Sequence, residues 1–341
     1  MKKAAFTIFV TTKCNLSCKY CYEKDFHKID MSADVAKKTV AFIKEKIKEQ
    51  GLTDILVRFH GGETIIRFDI IKYIMDELDD KSCRTLFSMT TNATLITEEM
   101  IPTLVRFDAL SVSIDGREEE HDKNRVGIDG KGTYSKVYNN AMLLLKHFPN
   151  LTARMTITPA TYSKVYDNFR SIVELGFKKI DADLDFTSDN WTNEMMAEYL
   201  EELKKIANFI KSKEQSGISI ESSLIESAAI KAKNSACEGG ISSFTITPDG
   251  KIYPCTAAAF KEEFLLGTVE TGITNDQVLK KIEAVGKKRN DHCEGCARYD
   301  YCMVTRCKIF NYAYTGDFYM PKPIMCANEH IKVSMGKYLL N

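Results

Sequence analysis

Cys14, Cys18 and Cys21, in KCNLSCKYCYE, are spaced so that three thiolates of one loop can gather round a single metal centre without a fourth cysteine from that loop. Structural zinc closes its tetrahedron with four protein ligands, whereas an iron–sulfur cluster that keeps one iron open needs only three thiolates. The alternative is three structural cysteines brought to this spacing by coincidence. Seven more crowd the C-terminal part: Cys237 and Cys255 in a C-x12-G-x4-C pair around Gly250, then Cys293, Cys296, Cys302 and Cys307 in C-x2-C-x5-C-x4-C, then Cys326. These suit iron–sulfur clusters or a pair of structural zinc sites. Cys83 lies outside both patterns and is expected to be a buried apolar residue.

Other side chains with chemical use lie between the two cysteine sets. In HGGE, His60 to Glu63, two glycines allow close backbone approach to a ligand, and Glu63 can accept from an ammonium. In KKIDADLDF, Asp181, Asp183 and Asp185 alternate with apolar residues, so period two puts the three carboxylates on one face. There they can bind peptide amides, or one, with its pKa raised by its neighbours, can act as a base; the alternative is a solvated strand end. Arg125 and Arg154 are candidates to grip a carboxylate. Against this stand a loop-fixing salt bridge for Arg125 and an outward pairing with a helix for Arg154.

These groups need a frame, and from residue 4 to about 212 strand-like and helix-like patterns alternate, which predicts parallel β/α units. Strands are predicted over 5–12, 54–59, 85–90, 109–114, 152–158 and 179–184. VAKKTVAFIKEKIKEQ is an amphipathic helix stopped at Gly51, and Thr97 and Thr133 are plausible N-caps for later helices. The chemical groups fall mostly at the carboxyl ends of strands, where β/α barrels carry function. Residues 192–233 are largely helical and charged, and the remainder, with its short runs, glycines and prolines, forms a second domain.

Lysine plus arginine total 47, as do aspartate plus glutamate, so no net field draws in nucleic acid or a membrane surface. AAFTIFV is too short and too β-branched for the core of a signal peptide, and no run reaches membrane-spanning length. A cytoplasmic location is expected, where 11 cysteines argue for metal ligation rather than disulfides.

The cluster spacing with Tyr20 before its last cysteine, the Gly-Gly-Glu after the second strand, and the strand ends TTNAT and SVSIDG together resemble the radical S-adenosylmethionine (radical SAM) superfamily. Thr64 stands where that family usually has proline. HDKNRVGIDGKGTY, with His121, Asp122, Arg125, Gly130 and Gly132, matches a pattern common in its peptide-modifying members. The resemblance implies an α/β fold: a partial (β/α)6 barrel over 1–212, a helical bridge over 213–235 and a cysteine-rich SPASM domain over 236–341. It implies a SAM-binding [4Fe–4S] cluster on Cys14, Cys18 and Cys21, and SAM contacts from Tyr20, Gly61, Gly62, Glu63, Asn92, Ser113, Arg125 and Arg154. The seven later cysteines resemble the SPASM pattern, with four residues rather than three between Cys302 and Cys307. By position, Cys237, Cys255 and Cys307 would hold one auxiliary [4Fe–4S] cluster, and Cys293, Cys296, Cys302 and Cys326 another, three clusters in all. The first set leaves one iron unclaimed, to be filled by a side chain such as Glu238 or by a substrate thiolate.

The activity so implied is a radical SAM oxidoreductase that matures a precursor peptide, taking a hydrogen atom from carbon and forming a crosslink such as a thioether, with Asp183 and Asp181 as catalytic candidates. The expected partners are that peptide and an electron donor such as flavodoxin or ferredoxin, with neither nucleic acid nor membrane. The first alternative is an anaerobic sulfatase maturase that forms formylglycine, although such enzymes are expected to close the first auxiliary cluster with protein cysteines. The second is a zinc-binding interaction module without catalysis. Because the first strand begins near residue 4, no winged-helix leader-binding domain is expected before the barrel.

Overall fold

Apolar residues alternate with polar ones along most of the expected strands, and the computed structural model, which describes residues 2–79, 83–229 and 236–340, forms each of them within two residues of its expected bounds. They are β1 (Lys3–Thr11), β2 (Asp54–Gly61), β3 (Arg84–Thr91), β4 (Ala109–Ser113), β5 (Thr152–Ile157) and β6 (Lys179–Leu184), each parallel to the next. Ile55, Val57 and Phe59 on β2 and Ala153, Met155 and Ile157 on β5 are buried in the main core. The alternate residues, such as Arg58 and Arg154, face the other way. Burial, and then the charge of Arg154, push the Arg58 guanidinium below its ordinary value. Two strands separate β2 from β5, so these side chains meet across the barrel interior, and the alternate row lines a polar lumen.

The helices follow local rules. Ala33–Gln50 begins where the Ser32 hydroxyl accepts from Val35 N–H and ends at Gly51, whose left-handed φ of 60° returns its N–H to Ile47 O. Thr97 precedes only a short 3-10 turn and makes no side-chain cap bond. Thr133 precedes helix Tyr134–Leu145, but the cap comes from Asp122, whose Oδ1 accepts from the N–H groups of Thr133 (2.7 Å) and Tyr134 (2.9 Å). A carboxylate at a helix N-terminus also complements the helix dipole.

The strands of the expected second domain continue the barrel sheet. β7 (Glu221–Ser222) pairs with β6 at one edge, and β8 (Ser243–Ile246) pairs in parallel with β1 at the other. Beyond β8 run β9 (Lys251–Tyr253), β10 (Gly267–Thr268) and β11 (Gly272–Ile273), antiparallel, giving an 11-stranded sheet. The expected helical bridge over 213–235 therefore contains a strand, between helices Asn193–Gln215 and Ser223–Ala229; its residues 230–235 lie outside the described residues. The final helix, Pro323–Leu339, folds back onto these two helices, with Tyr338 Oη donating to Asn208 Oδ1 at 3.0 Å.

Phe6 of β1 stacks on Phe244 of β8 at 5.3 Å, and Phe42 packs edge-on to both. All three rings are buried, so they join the barrel and the extension into one core. Phe244→Ala is expected to cost about 3–5 kcal/mol in urea unfolding, whereas Ile128→Ala, at a side chain that is 73% exposed, should stay within about 0.5 kcal/mol of the parent.

Candidate active site

The loop after β1 carries Cys14, Cys18 and Cys21 across the carboxyl ends of β2, β3 and β4. Its backbone is pinned by Ser17 N–H to Val126 O (2.8 Å) and Lys19 N–H to Asn124 O (2.9 Å), with a bridge between Leu16 and Gly127. All three thiols are half-buried and within electrostatic reach of one another. Burial pushes each of them up, Cys14 to about 12, so at neutral pH they ionise only with a cation at hand.

The Gly-Gly-Glu segment clamps that loop. A Cβ at Gly61 would lie 2.0 Å from Thr11 O, and one at Gly62 2.4 Å from Lys13 O, so these glycines admit the backbone of the cysteine loop. Glu63 donates its N–H to Lys13 O (2.9 Å) and buries its carboxylate. Oε1 accepts from Thr91 Oγ1 (2.6 Å) and Ile65 N–H (3.1 Å), and Oε2 from Asn92 N–H (2.7 Å). Burial raises its pKa and these bonds oppose the rise. The acceptor capacity expected to meet an ammonium is thus largely engaged by the protein's own donors. Asn92 Nδ2 donates to Asn15 Oδ1 (3.0 Å) and lies 3.9 Å from Cys14 Sγ. Ala93, where the family motif has glycine, is held at a left-handed φ of 60°.

Asp115, at the end of β4, ties the other side and was not singled out in the sequence. Its Oδ2 accepts from Tyr20 Oη (2.6 Å), and its Oδ1 from Arg125 Nη2 (3.0 Å) and Thr156 N–H (2.9 Å). The Arg125 guanidinium lies over the Tyr20 ring, 5.2 Å from its centroid. Of the two roles left open for Arg125, the structure shows the loop-fixing salt bridge, with both partners buried. The Asp-x9-Arg spacing from β4 was the available signal. His121, fully buried, accepts the Asp115 N–H at Nδ1 (3.3 Å) and meets Thr133 Oγ1 through Nε2 (3.1 Å).

On the lumen wall Ser113 stands in register with Arg154, and Arg154 with Asp181. Arg154 does face the lumen, where it pairs with Asp181 (3.2 Å) and more loosely with Asp183 (3.8 Å). The three aspartates do not form one sequestered cluster. The Asp183 side chain is 72% exposed, and Asp185 lies past the strand end, where Oδ1 accepts from Thr187 N–H (2.9 Å) and Oγ1 (2.5 Å). Sequence reasoning also missed Glu23 and His60: a buried Glu23 sets Oε1 3.3 Å from His60 Nε2, which Tyr22 Oη also reaches at 3.0 Å.

The C-terminal thiols lie within electrostatic reach of others in the C-terminal part. Cys255 is pushed up by burial to about 12 and feels Cys307 and Cys237, while Cys307 feels Cys237. Cys293 feels Cys296 and Cys326, and Cys302, raised by burial to about 11, feels Cys326. The extra residue before Cys307 is taken up in the single helical turn Met303–Arg306. Cys83 is buried, as expected. Among the described residues no three Cys, His, Asp or Glu groups converge on one ion. The Glu238 carboxylate accepts from Ser242 Oγ (2.6 Å) within its own turn.

The radical SAM superfamily model matches residues 8–175, and that of the iron-sulfur cluster-binding SPASM domain matches residues 237–297. The chain belongs to the radical SAM superfamily and carries a SPASM domain. It is similar to a serine-type anaerobic sulfatase-maturating enzyme of Bacteroides thetaiotaomicron, 35% identical over 49% of this chain and 41% of that protein. It also resembles a cysteine-type one of Clostridium novyi, 23% identical over 86% of this chain and 84% of that protein. Measured over the first curated relatives it matches, the chain spans 60% and 41% of their length. The fold agrees with native anSMEcpe with bound AdoMet and Kp18Cys peptide (TM-score 0.82, 19% identity, 99% of this chain and 98% of that one). It agrees less closely with Streptococcus suis SuiB bound to precursor peptide SuiA (TM-score 0.66, 15% identity, 95% of this chain and 76% of that one). Among the described residues no helix is long and apolar enough to cross a membrane.

Two outcomes are expected. Gly62→Ala should lose the iron bound by the N-terminal loop while iron on the C-terminal thiols persists, as read by iron content and absorbance after anaerobic reconstitution. Burial holds His121 at a pKa of about 4, below the unfolded value near 6.5. The native state therefore favours the neutral ring. That stability is complete above about pH 6.5 and is lost as pH falls toward 4, about 2 kcal/mol of it by pH 5. His121→Asn, whose carbonyl can accept the same Asp115 N–H, should flatten this part of the pH dependence in urea titrations.

Proposed function

We propose that the chain is a radical SAM peptide maturase that oxidises a cysteine-containing peptide and joins its sulfur to carbon as a thioether. The observation that carries this is the count of C-terminal cysteines, seven where two four-cysteine clusters would need eight, which leaves the set of Cys237, Cys255 and Cys307 one thiolate short. Glu238, the neighbouring side chain considered for a fourth position, is engaged with Ser242. A substrate thiolate completes the three-thiol set in this reading. The N-terminal cluster and SAM, when bound, supply the hydrogen-abstracting 5′-deoxyadenosyl radical.

The overall change is a two-electron oxidation of the peptide. Carbon gives up a hydrogen atom, the thiol gives up its proton and sulfur bonds to that carbon; an auxiliary cluster, which Cys237, Cys255 and Cys307 would hold, would accept the remaining electron. An external donor of the flavodoxin or ferredoxin class supplies the electron that starts each turnover. The chain's own part is to position its partners and exclude water. The clamp of Gly61, Gly62, Glu63 and Asn92 on one side, and Tyr20, Asp115 and Arg125 on the other, fixes the cysteine loop, and Ser113 and Arg154 line the approach for SAM. Asp181 and Asp183, open to the lumen, serve to bind peptide amides.

Formylglycine formation is a second reading, favoured by the sulfatase-maturating relatives. It needs the same hydrogen abstraction but leaves no new bond between residues.

Changing Cys14, Cys18 and Cys21 together to alanine is expected to abolish SAM cleavage and retain iron on the later thiols; full 5′-deoxyadenosine production would overturn the assignment. A panel of cysteine-containing synthetic peptides should perturb the electron paramagnetic resonance (EPR) signal of the auxiliary centre, and serine counterparts should not. Identical responses would move the reading toward formylglycine formation. Asp183→Asn should lower peptide modification more than uncoupled SAM cleavage, since it removes a lumen contact and none of the loop anchors.

A further inference from the structure

Arg125 packs its guanidinium against Tyr20 of the cysteine loop, and its salt bridge does not account for all of it. Nη2 is committed to Asp115, and the plane of the group covers Tyr20, yet Nε is buried and has no hydrogen-bond partner within the protein. A buried N–H left unpaired costs about 1–3 kcal/mol, and that cost is removed when an acceptor arrives. The residue is 7% exposed, so water is a poor candidate for the acceptor. Cys18 and Cys21 on the loop lie within its electrostatic reach: the positive charge of Arg125 pulls both down against the upward push of burial. Asn124, whose carbonyl holds Lys19, also has a buried Nδ2 without a partner, a second unmatched donor on the same segment.

We propose that Arg125 Nε–H donates a hydrogen bond to a sulfur of the cluster held by Cys14, Cys18 and Cys21, either Cys18 Sγ or a cluster sulfide. Through this bond and its charge it raises the cluster's reduction potential. The inference rests on the radical SAM assignment of that loop. Hydrogen bonds to cluster sulfurs and local charge are two of the factors that set such potentials. A donor beside the sulfurs stabilises the reduced, more negative cluster more than the oxidised one, so less driving force is required of the electron donor. Arg125 is in this view a positioning and tuning residue that does not touch the reacting carbon. Asp115 takes Nη2 and holds the guanidinium plane, and Nε, buried and without a partner in the protein, is the atom assigned to the cluster.

The test uses the full chain, reconstituted anaerobically, and follows the cluster whose EPR signal changes when SAM is added. In protein labelled with 15N-arginine, a nitrogen hyperfine coupling is expected on that signal, and it should vanish in Arg125→Lys. Redox titration of Arg125→Lys, which keeps a charge but loses the Nε–H, and of Arg125→Gln combined with Asp115→Asn, which removes both charges together, is expected to show a lower potential. The shift should reach at least tenfold in the equilibrium of reduction in the double variant, or about 59 mV for a one-electron couple. The wild-type coupling does not depend on either variant folding. Absence of that coupling, or unchanged potentials in variants that keep their iron, would overturn the inference. Absence of any SAM-responsive cluster signal in the wild-type protein would overturn the assignment beneath it.

Discussion

The buried carboxylate of Asp115 holds the site together. It receives a phenol from the cysteine loop, a guanidinium from the segment after β4 and a backbone N–H from β5, and so ties three parts of the chain at one carboxylate. A carboxylate this buried is tolerated only when it is paired and hydrogen-bonded, and the same is true of the guanidinium it faces. Removing one partner would leave the other as an isolated charge, so the pair fixes the geometry as much as it contributes energy. The cysteine loop is long and irregular, and without this anchor and the glycine clamp at β2 its three thiols would have no reason to stay together.

The two anchors divide the work. On the β2 side the constraint is steric: Gly61 and Gly62 allow backbone to lie on backbone where no side chain fits. On the β4 side it is electrostatic and depends on burial. Both place the loop at the carboxyl ends of parallel strands, over a lumen lined by Arg58, Arg154, Asp181 and Ser113, while the apolar row of each strand faces the helices. The extension is built into the same frame through β8 and the Phe6–Phe244 stack. Phe260, at a left-handed φ of 64°, reaches from the extension to Phe9 of β1 and Phe26 of the cysteine loop. The cysteine loop after β1 and the thiols Cys237 and Cys255, which flank β8 and β9, are therefore attached to one continuous sheet.

The six barrel strands and the cysteine sets were legible in the sequence because each depends on local information. Alternation of apolar and polar residues sets a strand and its two faces, and the spacing of cysteines on one loop limits which thiols can meet. The lumen orientation of Asp181 and Asp183 followed from the same alternation, whereas that of Arg154, open between lumen and helix, is decided by its pairing with them. Asp185 escaped it because the strand ends at Leu184, and beyond the last ladder bond a short acidic side chain turns to its own backbone. Thr133 looked like a cap by type, but Asp122, eleven residues earlier, reached the helix end first.

What only the tertiary structure decided depends on pairs distant in sequence. The continuation of the barrel sheet by β8 rests on the register of four residues against β1, more than 200 positions away, and no local pattern names a strand's partner. The hub role of Asp115 requires Tyr20, Arg125 and Thr156 to converge, and the roles of Glu63 and Arg125 depended on which donors and acceptors lay within hydrogen-bond reach. Sequence determined which groups were present and which face of each element they occupied; burial and long-range contact determined which of them were satisfied inside the protein, and which, like Arg125 Nε, were left with a bond still to make.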